Sequence, residues 1–154
     1  MKLFLAAVFV LASLPAAVAA PTVAISTLPR PAPASPLFAS VPLGGFLDRF
    51  PYGQCTWWAA YNRRVSWNGD AGDWLVNAAH QGMPTAEVPS VGAIAVYRGG
   101  AGYSWRGHVA IVIAVSPATY TVSEMNFLGW SEVNTRTVPW PDYHLSGFIP
   151  LDGG

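Results

Sequence analysis

A lone cysteine at the start of a predicted helix has the clearest chemistry in this chain of 154 residues. Cys55 stands in the stretch "PYGQCTWWAAYNRR", where Trp58, Ala59 and Asn62 have helical spacing and Gly53 permits a tight turn. A helix N-terminus favours a thiolate, because its unpaired backbone N–H groups and its dipole attract negative charge. The sequence therefore predicts a nucleophile, which needs a base to take and return a proton.

His108 is the best placed of three histidines to be that base. It follows Gly107 and precedes the apolar run "VAIVIAVS", which predicts a buried strand that holds the ring at one place. The other two histidines are His80 and His144. The sequence assigns no role to His144 or to Arg136.

Glu124 and Asn126 are the candidates for orienting the imidazole. If the turn after the His108 strand pairs Val115 with Thr119, the same register places Glu124 and Asn126 on the side of His108. Either side chain then suits the third position of a nucleophile, base and orienter arrangement.

Each of these four residues also suits a structural role. Free cysteine is among the most buried residue types, and a histidine at a strand end can be a satisfied core residue. Glu124 and Asn126 would then be solvated strand positions. The occurrence of all four in this order favours catalysis over the structural interpretation.

The segments around these residues predict an α+β fold. A second short helix is expected in "NGDAGDWLVNAAHQGMP", capped by Asp70 or Gly72 and ended by Gly82 and Pro84. β-Branched and aromatic runs follow, and they predict one antiparallel sheet with the helices packed on it. These runs are "GAIAVYR", "HVAIVIAVS", "TYTVSEMN", "NTRTVPW" and "SGFIPL".

The N-terminal third predicts an exported protein. Residues 1–19 combine Lys2, an apolar run and a small-residue exit, which is typical of a secretory signal peptide cleaved after Ala19. The alternative is a retained membrane anchor, but the run falls short of the ~20 residues that a span needs and Pro15 interrupts it. Residues 20–42, rich in Pro, Ala and Ser, predict an extended linker, and the folded domain is expected at 43–154.

Charge and cysteine content exclude some classes of function. Without Lys2, the only lysine, 7 arginines face 8 acidic residues, a formal charge of −1. This balance lacks the basic footprint of a nucleic-acid-binding protein. A single cysteine also cannot form an intrachain disulfide, which exported domains commonly use.

Five stretches resemble the CHAP domain, the cysteine- and histidine-dependent amidohydrolases/peptidases of bacterial and phage cell-wall hydrolysis. They are "YGQCTWWAAYNRR", "GDAGDW", "GAIAVY", "GHVAIVIAV" and "SEMNF". The resemblance implies a papain-like, NlpC/P60-related domain. It implies that Cys55 is the nucleophile, His108 the general base and then acid, Glu124 the orienting residue and Asn126 a supporting polar group. Gln54 would help the Cys55 backbone N–H to bind the oxyanion.

We expect no metal and no cofactor. Some CHAP enzymes bind calcium through an acidic loop before the cysteine, but here Asp48 is the only acid in that stretch. Trp105 and Trp130 flank the histidine and "SEMNF" segments, and we expect them to bind substrate in the cleft.

The resulting hypothesis is a secreted, monomeric peptidoglycan hydrolase without stable membrane insertion after signal cleavage. It would cleave an amide, either the N-acetylmuramoyl-L-alanine linkage or a bond within the peptide stem or cross-bridge. Two alternatives stay open: a non-catalytic wall-binding module of the same fold, and a thiol amidohydrolase that acts on another peptide or polyamine amide.

Overall fold

The computed structural model describes residues 49–100 and 102–151. The predicted signal peptide, the linker and the start of the folded domain lie outside these residues and stay predictions. The described part contains two α-helices, one 3₁₀ turn and five strands: α1 Cys55–Asn62, the 3₁₀ turn Ala71–Asp73, α2 Trp74–His80, β1 Ile94–Tyr97, β2 His108–Ser116, β3 Thr119–Met125, β4 Val133–Pro139 and β5 Leu145–Ile149.

The five strands form one antiparallel sheet in the order β4-β3-β2-β1-β5. All four residues of β1 are buried, as expected for a strand between two neighbours. The predicted α+β class, with helices before strands, is confirmed. Neither helix in the described residues is long and apolar enough to cross a membrane.

The two faces of the sheet bury different residues, because successive side chains of a strand point to opposite faces. One face packs against the helices and supplies Ile94, Val96, Val109, Ile111 and Ile149 to a core shared with Ala59, Trp67 and Trp74. The opposite face supplies Ala95, Tyr97, Ala110, Val112, Tyr120 and Phe148 to a second core. The alternation places His108 on this second face, two residues before Ala110.

The hairpin between β2 and β3 corrects the predicted turn. Ser116, rather than Val115, pairs with Thr119, so the loop has two residues. A bulge between Val112 and Ala114 then shifts the pairing by one residue. Beyond the bulge the register is the predicted one, as the pair Ile111 and Ser123 shows. The predicted register was wrong by one residue at the turn, but the bulge restores it in the half of β2 that contains His108.

The second helix also begins differently from the prediction. It starts at Trp74 after Asp73, and neither Asp73 nor Asp70 makes a side-chain cap hydrogen bond. Asp70 instead accepts from Arg106 Nη1 at 2.7 Å. The carboxylate thus joins the turn before α2 to the loop before β2. The helix ends at His80, and Gly82 follows with φ +76° as predicted for a helix stop.

Candidate active site

The nucleophile candidate lies at the N-terminus of α1. Cys55 is the first residue of the helix and is 8% exposed. The helix is fastened to the sheet where Trp58 Nε1 donates to Ser123 Oγ at 3.1 Å. The turn before it requires Gly53, whose φ is +89° and whose added Cβ would lie 2.8 Å from the Trp130 ring. These contacts fix the position of the sulfur relative to β2 and β3.

His108 lies between Cys55 and Glu124. It begins β2 and is 5% exposed. Its Nε2 donates to Glu124 Oε2 at 3.0 Å. The ring also shares a hydrogen bond with Cys55, for which Nδ1 is the remaining nitrogen. Tyr103 stacks on the ring at a centroid distance of 5.6 Å. The imidazole is therefore fixed by both nitrogens and by one face.

The pKa of His108 is raised from 6.5 to about 9. Burial by itself would lower the pKa, because it disfavours the charged ring. The hydrogen bonds and electrostatic interactions of the ring with Cys55 and Glu124 outweigh the burial. The ring is therefore an imidazolium at neutral pH, ready to give a proton.

Glu124 is fully buried and ionised. Its carboxylate accepts from His108, from Asn134 Nδ2 at 3.0 Å and from Arg136, whose Nε is 2.9 Å from Oε1. Burial would raise its pKa, but the hydrogen bonds to His108 and Arg136 lower it from 4.5 to about 2. Of the two candidates for orienting the imidazole, Glu124 is the one bonded to it.

Asn134 and Arg136 were missed by sequence reasoning. Glu124 pairs with Asn134 in the β3–β4 register, and Arg136 is two residues further along the same strand. Side chains two apart share a face, so both point to the face that carries Glu124. The alternation in "NTR" indicates that Asn134 and Arg136 share a face, but it identifies Glu124 as their partner only when β4 is aligned against β3.

Asn126 contacts Gln54 instead of the histidine. It follows the end of β3 with φ +62°, so the backbone has left the strand conformation there. Its Nδ2 donates to Gln54 Oε1 at 3.1 Å. Gln54 directly precedes Cys55, and with its oxygen engaged it keeps Nε2 as a donor. This places a polar pair beside the nucleophile.

A cavity of about 500 Å³ opens in front of Cys55 and His108. Its walls include Phe50, Gln54, Tyr103, Arg106, Asn126 and Phe127. Trp105 and Trp130 are not among the lining residues. Trp105 is 76% exposed beneath the Arg106 guanidinium, and Trp130 covers Gly53. Their role in substrate binding stays a prediction.

The arrangement has the parts of a thiol transferase or hydrolase: a cysteine, a charged histidine in contact with it and a carboxylate that orients the histidine. In the described ranges 49–100 and 102–151, no three His, Cys, Asp or Glu side chains form a group that could hold a metal ion.

Residues 46–126, more than half of the chain, match the family model of the CHAP domain. The chain belongs to the CHAP domain family. The CHAP match includes Cys55, His108, Glu124 and Asn126, and it ends before Asn134 and Arg136. The resemblance seen in the sequence is thereby confirmed.

The proteins similar to this chain include several from staphylococci. An N-acetylmuramoyl-L-alanine amidase of Staphylococcus haemolyticus is 37% identical over 113 residues, covering 66% of this chain and 32% of that protein. The "Probable autolysin LDP" of Staphylococcus aureus is 37% identical over 98 residues, covering 58% and 33%. A crystal structure of an N-acetylmuramoyl-L-alanine amidase from Staphylococcus aureus has a TM-score of 0.52 and 29% identity, covering 57% and 27%. The chain spans about a quarter to a third of the length of these proteins.

Proposed function

We propose that this CHAP protein is an exported peptidoglycan hydrolase that cleaves an amide bond with a cysteine nucleophile. The observation that carries the proposal is the contact of Cys55 with a charged, Glu124-oriented His108 at the wall of an open cavity. The amidase and autolysin names of its relatives support peptidoglycan as the substrate. The order of helix, cysteine and sheet supports a papain-like, NlpC/P60-related arrangement.

The proposed reaction has two stages, acylation of the cysteine and hydrolysis of the thioester. The Cys55 thiolate attacks the carbonyl carbon, and the electron pair of the C=O bond moves to the oxygen. We propose that the backbone N–H of Cys55 and Nε2 of Gln54 donate to that oxyanion. The hydrogen bond from Asn126 to Gln54 Oε1 supports this role, because it leaves Nε2 available as a donor. When the C–N bond breaks, the His108 imidazolium gives its proton to the leaving nitrogen.

Water then completes the cycle. Neutral His108 takes a proton from a water molecule, whose oxygen attacks the thioester carbonyl. The C–S bond breaks, the acid product leaves, and Cys55 and His108 return to the thiolate and imidazolium pair. No step in this sequence requires a cofactor. The bond cleaved is either the N-acetylmuramoyl-L-alanine linkage or an amide of the peptide; both are amides, so the chemistry at the sulfur is the same for both.

The location of the protein follows from the same proposal. Peptidoglycan lies outside the cytoplasmic membrane, so an enzyme that cleaves it must be exported. Residues 1–19 have the composition of a secretory signal for that purpose. We propose that the released enzyme acts as a monomer in the periplasm, the wall or the medium.

Fragment release from purified sacculi tests the proposal. The full chain, Cys55→Ser and His108→Gln are incubated with sacculi under reducing conditions, and the products are identified by mass spectrometry. His80→Gln is the matched control, since His80 is exposed on α2. We expect the parent and His80→Gln alone to release fragments. The new termini of these fragments identify the bond that was cleaved.

Three results would contradict the proposal. Release by Cys55→Ser at the parent rate would assign the chemistry to another group. Binding to sacculi by the parent, with no release from several wall chemistries, would instead identify a wall-binding module. Release of product from a small amide with none from sacculi would favour the alternative substrates.

A further inference from the structure

We propose that Arg136 is a positioning residue of the active site, which holds the Glu124 carboxylate against His108. Its Nε donates to Oε1 at 2.9 Å and its Nη2 to Oε2 at 3.1 Å. The same Oε2 accepts from His108 Nε2 at 3.0 Å. One carboxylate oxygen is thus shared by the guanidinium and the imidazole. The activity readout of this proposal rests on the proposed function, whereas its spectroscopic readout does not.

Glu124 needs such a partner because it is completely buried. A buried carboxyl without a partner takes up a proton instead of keeping its charge. The protonated form would no longer compensate the charge of the His108 ring. Arg136 supplies two charge-assisted hydrogen bonds, and Asn134 supplies one neutral hydrogen bond to Oε1. The ionised state of Glu124 therefore depends on Arg136 as well as on His108, and Arg136 is the partner whose charge does not titrate.

Arg136 is itself held in one orientation. The Tyr103 hydroxyl accepts from its Nη2 at 3.0 Å. The guanidinium carbon lies 4.2 Å from the centroid of the Phe127 ring. His108, Glu124 and Arg136 form a charged row. Tyr103 also stacks on His108, so one tyrosine contacts both ends of this row. A planar guanidinium can make this set of contacts, whereas the single ammonium of lysine cannot.

The groups around the row come from every neighbouring element. Cys55 of α1 and Glu124 of β3 face His108, with Tyr97 of β1, Tyr103 and Phe127 against its ring. His108, Asn134 and Arg136 face Glu124. Arg136 is faced by the rings of Tyr97, Tyr103 and Phe127. The charge of Asp142 raises the pKa of Tyr103. Among these described groups, Arg136 is the only permanent cation next to Glu124.

A second cavity gives solvent access to the guanidinium. It has a volume of about 470 Å³ and is lined by Arg136, Tyr103 and Phe127, together with residues of the loop before β5. Cys55 and His108 do not line it. A small cation that enters this cavity can therefore reach the site of a truncated Arg136 side chain without crossing the cleft at the cysteine.

Titration of the His108 ring by NMR in the full chain is the primary test. Arg136→Ala and Arg136→Lys are compared with the parent, and Arg98→Ala is the matched control, because Arg98 is exposed and donates to the Leu145 carbonyl. We expect Arg136→Ala to lower the His108 pKa, because a Glu124 carboxyl that takes up a proton or turns away no longer stabilises the imidazolium; loss of such an opposite charge is worth roughly 1–3 units. A raised His108 pKa, which removal of a nearby cation alone would produce, would overturn the proposal. Arg136→Lys should lie between Arg136→Ala and the parent, and Arg98→Ala should match the parent.

Activity and chemical rescue provide the second test. For Arg136→Ala we expect fragment release from sacculi to fall on the order of 100-fold, as misplaced catalytic groups do. The alkaline limb of the pH profile should shift to lower pH. Methylguanidinium at millimolar concentration should restore part of the rate and of the His108 titration, whereas KCl at equal ionic strength should not.

The outcomes separate this proposal from the proposed function. An unchanged His108 titration in a folded Arg136→Ala variant would overturn the positioning role, even if activity fell. A lowered His108 pKa in a chain that releases nothing from sacculi would support the positioning role and contradict the proposed function. If Arg136→Ala does not fold, Arg136→Lys and Tyr103→Phe decide by the same titration, and a parent-like His108 in both would overturn the proposal.

Discussion

The two faces of the sheet are built from the same strands but do different work. The helix-facing side is apolar, with Ile94, Val96 and Ile111 packed against Trp74 and α1. The opposite side is apolar in its centre, but at one end it carries three charged groups in a row, His108, Glu124 and Arg136. One face therefore places the cysteine, and the other determines the charge of the histidine.

Apolar contacts on one face and polar contacts on the other control different properties of the protein. Apolar burial is not directional and depends little on pH, so the helix face contributes stability and a fixed distance between α1 and β2. Ion pairs and hydrogen bonds are directional and depend on protonation, so the charged row contributes orientation and a pH range. Variants of the two faces should differ in pH dependence even where they are equally destabilised.

The largest expected effect comes from the helix face. Trp74→Ala removes a fully buried ring and should lower the free energy of unfolding by about 3–5 kcal/mol, with the same loss at pH 5 and pH 8. Trp105→Ala is the matched control, because Trp105 is 76% exposed. Urea unfolding measures both. A loss for Trp74→Ala no larger than for Trp105→Ala would contradict the assignment of this face as the core.

Removing the charge of Glu124 should have a slightly smaller effect. Glu124→Gln leaves Arg136 without its counter-ion and should cost about 3 kcal/mol at pH 7, the low end for a broken buried pair because Arg136 keeps some exposure. Glu132→Gln, at an exposed glutamate, should leave stability unchanged. Urea unfolding of the two variants checks this, and equal stability of both would show that the charged row stabilises nothing.

The pH dependence of stability should reveal the row directly. The raised pKa of His108 gives a contribution that is complete below about 6.5 and is lost as the pH rises through about 9. The lowered pKa of Glu124 gives a contribution that is complete above about 4.5 and is lost as the pH falls toward 2. Unfolding free energies measured from pH 3 to 10 should therefore decline at both ends. Glu124→Gln should flatten both declines, and a profile that keeps them would assign them to other groups.

The smallest expected effect lies at the turn before the helix. Asn126→Ala removes one hydrogen bond to Gln54 and should lower the rate of fragment release about 3- to 10-fold, with little change in stability. Gln54→Ala should lower it at least as much. The double variant should be no worse than Gln54→Ala, because Asn126 acts through Gln54. Additive losses would show that Asn126 acts independently of that residue.

Local patterns in the sequence determined the elements and the candidate residues. Helical spacing after Cys55 and the β-branched runs after residue 89 predicted α1 and all five strands, since these patterns depend on neighbours along the chain. The stop of the second helix at Gly82 was also local. The family followed from short motifs, each within one element and its flanking turn.

Only the tertiary structure decided how the candidates connect. The bulge in β2, the ion pair of Asp70 with Arg106 and the contacts of Arg136 all depend on which strand lies beside which and in what register. It also decided that Glu124 holds the imidazole while Asn126 turns to Gln54, because the chain leaves the strand conformation between them. Periodicity can state which face of a strand a side chain occupies. The partner on the next strand is set by pairing and burial over the whole sheet.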